Sequence, residues 1–219
     1  MGRLIDRERR ARAKEAKQQR MKDIREEAVR SFVKLPYVEI TLDALGRRAG
    51  VKKGVASMYF GTKEELFLEL LRDELDAWYG ELERKLGAQR ARLSDARLAR
   101  VVSTTLADRP ALCRFLSLAP VVLEQNMEIM AADRFHRWQR DRMSTVGGEL
   151  EQRSRGMKQG QGLRLLHLVQ LMTAAFHGYS DPRGSLAFNL YDPDFADFRI
   201  DLEQEIAALV RRTLADWGA

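Results

Sequence analysis

Residues 41–66 read TLDALGRRAGVKKGVASMYFGTKEEL, and this stretch decides the fold of the N-terminal part of the chain. Thr41 is a favourable N-cap residue, so it predicts the start of a short helix. Gly50 stands where a residue in the left-handed conformation commonly ends a helix. A second short helix is predicted over 52–60, and Gly61 ends it. The pattern therefore predicts two short helices separated by a tight turn.

The segments on either side of this stretch are also predicted to be helical. After it, Thr62 and Glu65 match the Thr-x-x-Glu capping box, which predicts a longer helix. Before it, apolar residues follow the spacing of one helix face, and Pro36 ends that helix because proline disfavours the helical conformation of the preceding residue. The apolar face consists of Ile24, Ala28, Phe32 and Leu35. Three short helices in 21–60, with a turn around 49–52, are the outline of a helix-turn-helix.

The positive charge of the chain is concentrated in this region. Residues 1–63 hold 17 Lys and Arg against 8 Asp and Glu, a net charge of +9. Residues 64–219 hold 21 against 24, a net charge of −3. Such an asymmetry indicates a basic module that binds a polyanion, and a merely basic, solvated surface is the alternative. Double-stranded DNA fits the module, because its major groove admits one short helix with small side chains.

Composition excludes several other classes of protein. The 219 residues fit one compact unit or a small module joined to a larger one, and 45% of them are hydrophobic, enough for an ordinary core. Cys113 is the only cysteine, which excludes an internal disulfide or a multi-cysteine metal site. No apolar run is long enough to span a membrane, and residues 1–20 lack the apolar region of a secretory signal. We therefore expect a cytoplasmic protein with no membrane partner.

Residues 41–66 closely resemble the DNA-binding signature of the tetracycline-repressor-like (TetR) regulators. The matching residues are Thr41, Ala49, Gly50, Val51, Lys53, Gly54, Tyr59, Phe60, Lys63, Glu64 and Leu66. The rest of the chain matches this family in architecture. The resemblance implies an all-α fold, a helix-turn-helix that reads a DNA operator, and a C-terminal body that binds a small molecule and forms a homodimer.

The DNA-binding residues are predicted at the turn and on the third helix. Lys52 and Lys53 can reach phosphates, and Gly54 allows close approach of the backbone. Lys63 joins the N-terminal N–H groups of the next helix in a phosphate site, and the resemblance implies a phosphate contact for Tyr59. The predicted set is Thr41, Lys52, Lys53, Gly54, Val55, Ser57, Met58, Tyr59 and Lys63.

Residues 1–20 precede this module as a basic N-terminal arm. Residues 6–20 are good helix formers, but they contain nothing apolar that could be buried. Two interpretations remain open: the arginines of the arm follow the minor groove beside the recognition helix, or the arm is a solvated extension of the first helix. The arginines concerned are Arg7, Arg9, Arg10 and Arg12.

The rest of the chain is predicted to be a helical body, so that the all-α fold has about nine helices in total. Helices are expected from Ser94 to about Asp108, from Pro110 to Leu118, over 163–179 and over 197–217. The stretch 154–162 is predicted to be a linker, and 180–196 a loop or broken turns. The predicted domains are the arm at 1–20, the helix-turn-helix domain at 21–66, and an effector-binding and dimerisation domain at 67–219.

The helix over 163–179 is almost wholly apolar, yet it carries three hydrogen-bonding side chains on one arc. Buried polar groups need partners, which can be structural, at an interface, or on a ligand. In one interpretation, this arc and nearby apolar residues line a pocket that suits a small hydrophobic effector with one or two hydrogen-bonding atoms. In the other, the same residues pack as ordinary hydrophobic core. The candidate ligand-binding residues are Phe115, Met127, Met130, Trp138, His167, Gln170 and His177.

The last two long helices are predicted to form the dimer interface. In the final helix, apolar positions recur every three or four residues, which is the spacing of a helix-packing seam. The preceding helix has more apolar surface than one subunit is expected to cover. The candidate interface residues are Leu168, Met172, Leu202, Ile206, Leu209 and Thr213.

The sequence lacks the patterns of enzymes and metal sites. GxSxG, HExxH, CxxC and Walker A motifs are absent, and the histidines lack metal-ligand spacing. We therefore expect no cofactor, no metal and no enzymatic activity. The sequence predicts a ligand-responsive homodimeric regulator, a repressor that a small hydrophobic effector releases from a palindromic operator. The alternative is a helical small-molecule-binding enzyme or sensor in which the helix-turn-helix is only structural.

Overall fold

The computed structural model describes residues 2–89, 91–123, 125, 128–182 and 184–218, and these contain ten α-helices and no strand. The all-α class with an N-terminal helix-turn-helix is confirmed, with ten α-helices in place of about nine. The chain divides into two compact units, Met1–Leu70 and Leu71–Ala219. In the part of the chain that is described, no helix is long and apolar enough to cross a membrane.

The N-terminal unit consists of one long helix, two short helices and the start of a fourth. α1 spans Gly2–Lys34 and continues through the basic arm without a break. A 3-10 turn, Tyr37–Glu39, leads to α2, which spans Leu42–Arg48. α3 spans Val55–Phe60, and α4 spans Lys63–Gly87. Residues 2–20 are therefore a helical extension of α1.

The predicted caps are present at the helix starts of this unit. The Thr41 hydroxyl accepts a hydrogen bond from the Ala44 N–H at 3.2 Å, which caps α2. At α4, the Glu65 N–H donates to the Thr62 hydroxyl at 3.1 Å, and the Thr62 N–H donates to the Glu65 carboxylate at 3.2 Å. Both halves of the predicted capping box are therefore formed.

The turn after α2 depends on Gly50, which is left-handed with a φ of 73°. Its N–H donates to the Arg47 carbonyl at 3.2 Å, and the Val51 N–H donates to the Gly46 carbonyl at 2.9 Å. This pair of bonds is a Schellman motif, which satisfies the last carbonyls of the helix. A Cβ on Gly46 would lie 3.1 Å from the Val51 Cγ2 and 3.4 Å from the Ala56 Cβ, so the missing side chain lets α2 and α3 pack closely.

Aromatic side chains form the centre of the N-terminal core. Phe32, Tyr37 and Phe67 contact one another edge to face, with ring centroids 5.2 to 6.5 Å apart. The Tyr37 hydroxyl donates to the Glu64 carboxylate at 3.0 Å. Burial, and then the charge and the hydrogen bond of Glu64, raise the pKa of Tyr37 well above its usual range. The 3-10 turn is thereby held between α1 and α4, just ahead of the start of α2.

The C-terminal unit begins within α4 and continues through the remaining helices. α5 spans Asp95–Ala107 behind its N-cap Ser94, and α6 spans Pro110–Leu118 with proline in its first turn, both as predicted. A π-helical turn, Ala119–Leu123, follows α6. α7 then spans Ile129–Arg153.

The last part of the chain differs from the prediction in two ways. α8 spans Gln161–Ser180, but the expected loop at 180–196 contains α9, Gly184–Leu190, and a 3-10 segment, Pro193–Phe198. α10 spans Leu202–Gly218, so it begins five residues later than predicted and ends one residue later. An Asp-Pro step indicates a loop, but proline also suits the first turn of a helix, and here it begins the 3-10 segment.

α7 and α8 are in direct backbone contact at two glycines. A Cβ on Gly162 would overlap the Gly147 carbonyl, and a Cβ on Gly147 would lie 2.5 Å from the Leu163 nitrogen. The Gly162 N–H also donates to the Glu151 carboxylate at 2.9 Å. These contacts fix the start of α8 against α7, and neither glycine has room for a side chain.

Candidate nucleic-acid interface

α3 buries one face and exposes Ser57 and Met58 on the other. Ala56 and Phe60 are buried in the core of the N-terminal unit. Ser57 is exposed, and Met58 keeps 71% of its surface exposed. Val55, at the start of the helix, is half-buried. A short helix with this exposed outer face fits the major groove of DNA.

Gly54 shapes the turn before α3. It is the N-cap residue and is left-handed, with a φ of 80°. Its N–H donates to the Asp43 carboxylate at 3.4 Å, which ties the turn to the first turn of α2. Lys52 and Lys53 precede it and are exposed. The helix begins at Val55 rather than at the predicted Lys52, because a left-handed residue interrupts a right-handed helix.

The predicted phosphate site at the start of α4 is partly occupied by the protein itself. The Lys63 ammonium is half-buried, donates to the Tyr37 carbonyl at 3.2 Å and lies 4.0 Å from the centroid of the Tyr37 ring. The N–H groups of Thr62 and Glu65 are used in the capping box. Lys63 therefore anchors α4 to the 3-10 turn. Its ammonium has three N–H donors, and those not used by Tyr37 can bind a DNA phosphate.

Two residues of α1 that were not predicted as site residues lie beside Tyr59. The Arg20 guanidinium donates to the Tyr59 hydroxyl at 3.5 Å, and the Lys17 ammonium lies 5.5 Å from the centroid of its ring. Tyr59 is half-buried at the edge of α3. The sequence signal was available, because Lys17, Arg20 and Ile24 fall on one face of a continuous helix. The basic extension thus meets the recognition helix at Tyr59.

Thr41 is the last residue of the predicted set, and two arginines of α2 add further positive charge to the N-terminal unit. Thr41 is exposed, although its hydroxyl is engaged as the cap of α2. Arg47 and Arg48 are exposed, and Arg48 donates to the Ser31 hydroxyl at 2.9 Å. Lysines on a turn, followed by small side chains on a short helix, can contact phosphates and approach base edges.

In the body, the three polar residues of the predicted ligand arc have different surroundings. Gln170 is buried; its amide donates to the Tyr79 hydroxyl at 3.0 Å, and its carbonyl accepts from Gln139 at 2.9 Å. His167 is exposed. Protein groups therefore satisfy the hydrogen bonds of Gln170, whereas His167 is open to solvent. Burial, opposed by the hydrogen bond from Gln170 and the charge of Arg142, raises the pKa of Tyr79 well above its usual range.

His177 is buried beside a cavity of about 350 Å³. The walls combine apolar atoms of α5 and α6 with polar groups at the end of α8 and the start of α10. Residues that line it include Cys113, His177, Asp181, Ile200, Asp201 and Glu203. The His177 Nε2 lies 4.0 Å from the Asp181 carboxylate. The cavity has the size of a small-molecule site and carries three carboxylates.

The other candidate ligand residues have different surroundings. Phe115 is fully buried in α6, whereas Met130 keeps 57% of its surface exposed. Trp138 is half-buried, with the Arg72 guanidinium 4.9 Å from its ring centroid. Met127 lies outside the described residues.

The candidate dimer residues divide between two environments. Ile206 is buried within this chain together with Val210 and Leu214, because α10 packs on α5 and α8 along that face. It therefore belongs to the subunit core. The half-buried candidates are Leu168, Met172, Leu202, Leu209 and Thr213. α8 also leaves the apolar side chains of Leu171 and Tyr179 exposed, at 51% and 45%.

Two family models match the chain, one in each unit. The model described as "Bacterial regulatory proteins, tetR family" matches residues 24–70. The model described as "Tetracyclin repressor-like, C-terminal domain" matches residues 72–215. A comparison with individually curated proteins finds no match. Within the described residues, no group of three or more His, Cys, Asp or Glu side chains could hold a metal ion.

Proposed function

Because this chain belongs to the tetR family of bacterial regulatory proteins, we propose that it is a homodimeric repressor that a small effector releases from a palindromic DNA operator. The chain is a DNA-binding transcriptional regulator, as the members of this family are. Homodimerisation, repression and the response to an effector are the further steps of the proposal.

The observation that carries the proposal is the exposed face of α3 behind a turn with two lysines. Lys52 and Lys53 contact phosphates, and Ser57 and Met58 face the base edges of the major groove. Tyr59 contacts a phosphate at the edge of the helix. Phosphate contacts give affinity and register, whereas the side chains on α3 select the sequence.

A dimer brings two copies of α3 to half-sites about 34–36 Å apart, or a multiple of that distance. The face of α8 that contains Leu171, Ala175 and Tyr179 supports a contact with a second copy. Leu168 lies within this face and Met172 lies beside it, and both are half-buried in one subunit. An apolar stripe of this kind is an aggregation hazard unless a partner covers it.

The cavity beside His177 is the proposed effector site. Its apolar walls suit the hydrophobic part of an effector. Asp181, Asp201 and Glu203 disfavour an anion, so the effector is uncharged or cationic. An effector that favours the conformation with low DNA affinity by about 1–3 kcal/mol lowers operator binding about 5- to 150-fold.

The proposal assigns the chain no enzymatic role and places it in the cytoplasm, where its DNA lies. The experiment that tests it is selection of bound duplexes from a random-sequence DNA library, followed by footprinting of the selected DNA. We expect two inverted half-sites about one helical turn apart, and light scattering that shows a dimer. Selection of no sequence, or a stable monomer at micromolar concentration, would contradict the proposal. Repression is tested separately, with a reporter gene behind the selected operator.

A further inference from the structure

The N-terminal part of α1, residues 7–20, does not pack against a hydrophobic core. The side chains of residues 7–20 are all exposed, although α1 is continuous from Gly2 to Lys34. Nucleation is the costly step of helix formation, and the packed part of α1 from Ile24 onward provides the nucleus from which the helix extends. Because residues 7–20 bury nothing, their composition must be explained by a partner or by solvent.

Charge is segregated around this extension. Residues 7–20 carry seven Lys and Arg and only two acidic residues, Glu8 and Glu15. At about 100° per residue, four of the basic residues fall within about 100° of one another, and both glutamates fall on the opposite side. The four form the basic face of the extension: Arg9, Arg10, Lys17 and Arg20. Among the described residues, none of the seven cations of 7–20 is in an ion pair.

This basic face joins the recognition helix. Arg20 and Lys17, at its C-terminal end, contact the hydroxyl and the ring of Tyr59. Tyr59 follows the exposed Met58 on α3. The basic face is therefore continuous with the surface that is assigned to DNA, and its charge complements a phosphate backbone.

We propose that the basic face of the extension is a second DNA-binding element, which lies along the phosphates that flank each operator half-site. A helix with its side chains is about 10–12 Å across, whereas the minor groove is about 6 Å wide, so the extension does not enter that groove as a helix. Residues 9–20 extend over about 16 Å, which corresponds to about five base pairs. The element adds affinity that does not depend on sequence, and it lengthens the contacted DNA.

This inference rests on the proposed function, and the experiment separates the two. The probe is a duplex selected by the parent protein, either with flanks of about ten base pairs or trimmed flush with the half-sites. The variant R9Q/R10Q removes two charges from the basic face. The matched control R7Q/R12Q removes two charges about 110° from its centre.

On the flanked duplex, R9Q/R10Q should lower the slope of log K against log [KCl] by about two units per subunit, and hydroxyl-radical protection of the flanks should be lost. On the trimmed duplex its slope should equal that of the parent, and R7Q/R12Q should keep the parental slope on both. An unchanged slope and footprint in R9Q/R10Q would overturn the inference and leave the proposed function standing. If the parent selects no sequence, the proposed function fails, and the inference fails with it because there is then no half-site to flank.

A second variant separates a helix from a flexible basic arm. A13P keeps every charge of residues 7–20, but proline in a helix interior removes a backbone hydrogen bond and breaks the helix. Ala13 is exposed, so the substitution leaves the core intact. We expect A13P to lose the protection of the flanks, as R9Q/R10Q does. Full protection by A13P would show that the charges act without the helix, and would overturn the inference.

Discussion

Replacing Gly54 by alanine should destabilise the N-terminal unit by about 1–2 kcal/mol, and it should weaken operator binding further. Gly54 has a φ of 80°, and a Cβ placed there would meet no atom within 4 Å. The cost is therefore conformational alone, about 1–2 kcal/mol for an L-residue in the left-handed region. Relaxation of that strain would shift the start of α3, which faces the DNA.

Gly50→Ala is the matched control for this change. Gly50 has a φ of 73°, and a Cβ there would also meet no atom within 4 Å, so the loss of stability should be similar. Gly50 ends α2 instead of beginning α3. We therefore expect G54A to bind the operator about tenfold more weakly than G50A, a difference of about 1.4 kcal/mol.

The assay combines urea unfolding with DNA titration. Far-UV circular dichroism reports both units, whereas the three tryptophans, Trp78, Trp138 and Trp217, lie in the C-terminal unit and report that unit alone. The unfolding free energy from circular dichroism should fall in both variants. Equal operator affinity in G54A and G50A would refute the assignment of this turn to the DNA interface. Parental stability of G54A would refute the left-handed conformation of Gly54.

The remaining predictions concern the lysines, the dimer and a buried tyrosine. K52A/K53A should lower the salt slope of DNA binding by about two units per subunit at parental stability, whereas K63A should also lower the melting temperature, because Lys63 donates to the Tyr37 carbonyl. L171E should give monomers in light scattering, since it puts a charge on the exposed apolar face of α8; a dimer of unchanged stability would place the interface elsewhere. The unfolding free energy should fall as the pH rises above about 10, because tyrosines ionise in the unfolded chain while buried Tyr79 stays protonated in the folded one. Y79F should reduce that fall by up to about 1.4 kcal/mol per pH unit. The same slope in Y79F and the parent at alkaline pH would contradict the raised pKa of Tyr79.

Local chemistry explains why the helix-turn-helix could be predicted from the sequence. The cap at Thr41, the capping box of Thr62 and Glu65, and the left-handed Gly50 each depend on residues within a few positions. Their preferences agree with the hydrophobic spacing, so one interpretation satisfied both. The predicted start of α3 is three residues too early, because the sequence alone does not specify that Gly54 adopts the left-handed conformation.

Long-range packing explains what the sequence did not predict. His167 and Gln170 are three residues apart on α8, and only the fold determines that one is exposed and the other is bonded to Tyr79 on α4. Ile206 fits a dimer seam by spacing, but α5 and α8 bury it within the subunit. The contacts of Lys17 and Arg20 with Tyr59 likewise join residues that are about 40 positions apart.

Sequence-specific DNA binding through α3 is tested by one ratio of dissociation constants. The measurement compares the parent's dissociation constant for its selected duplex with that for a scrambled duplex of equal length, at one fixed salt concentration. We expect a ratio of about 10³ or more in favour of the selected duplex, because specific base contacts add to the shared phosphate contacts. A ratio near one would contradict it, since basic charge alone would then explain the binding.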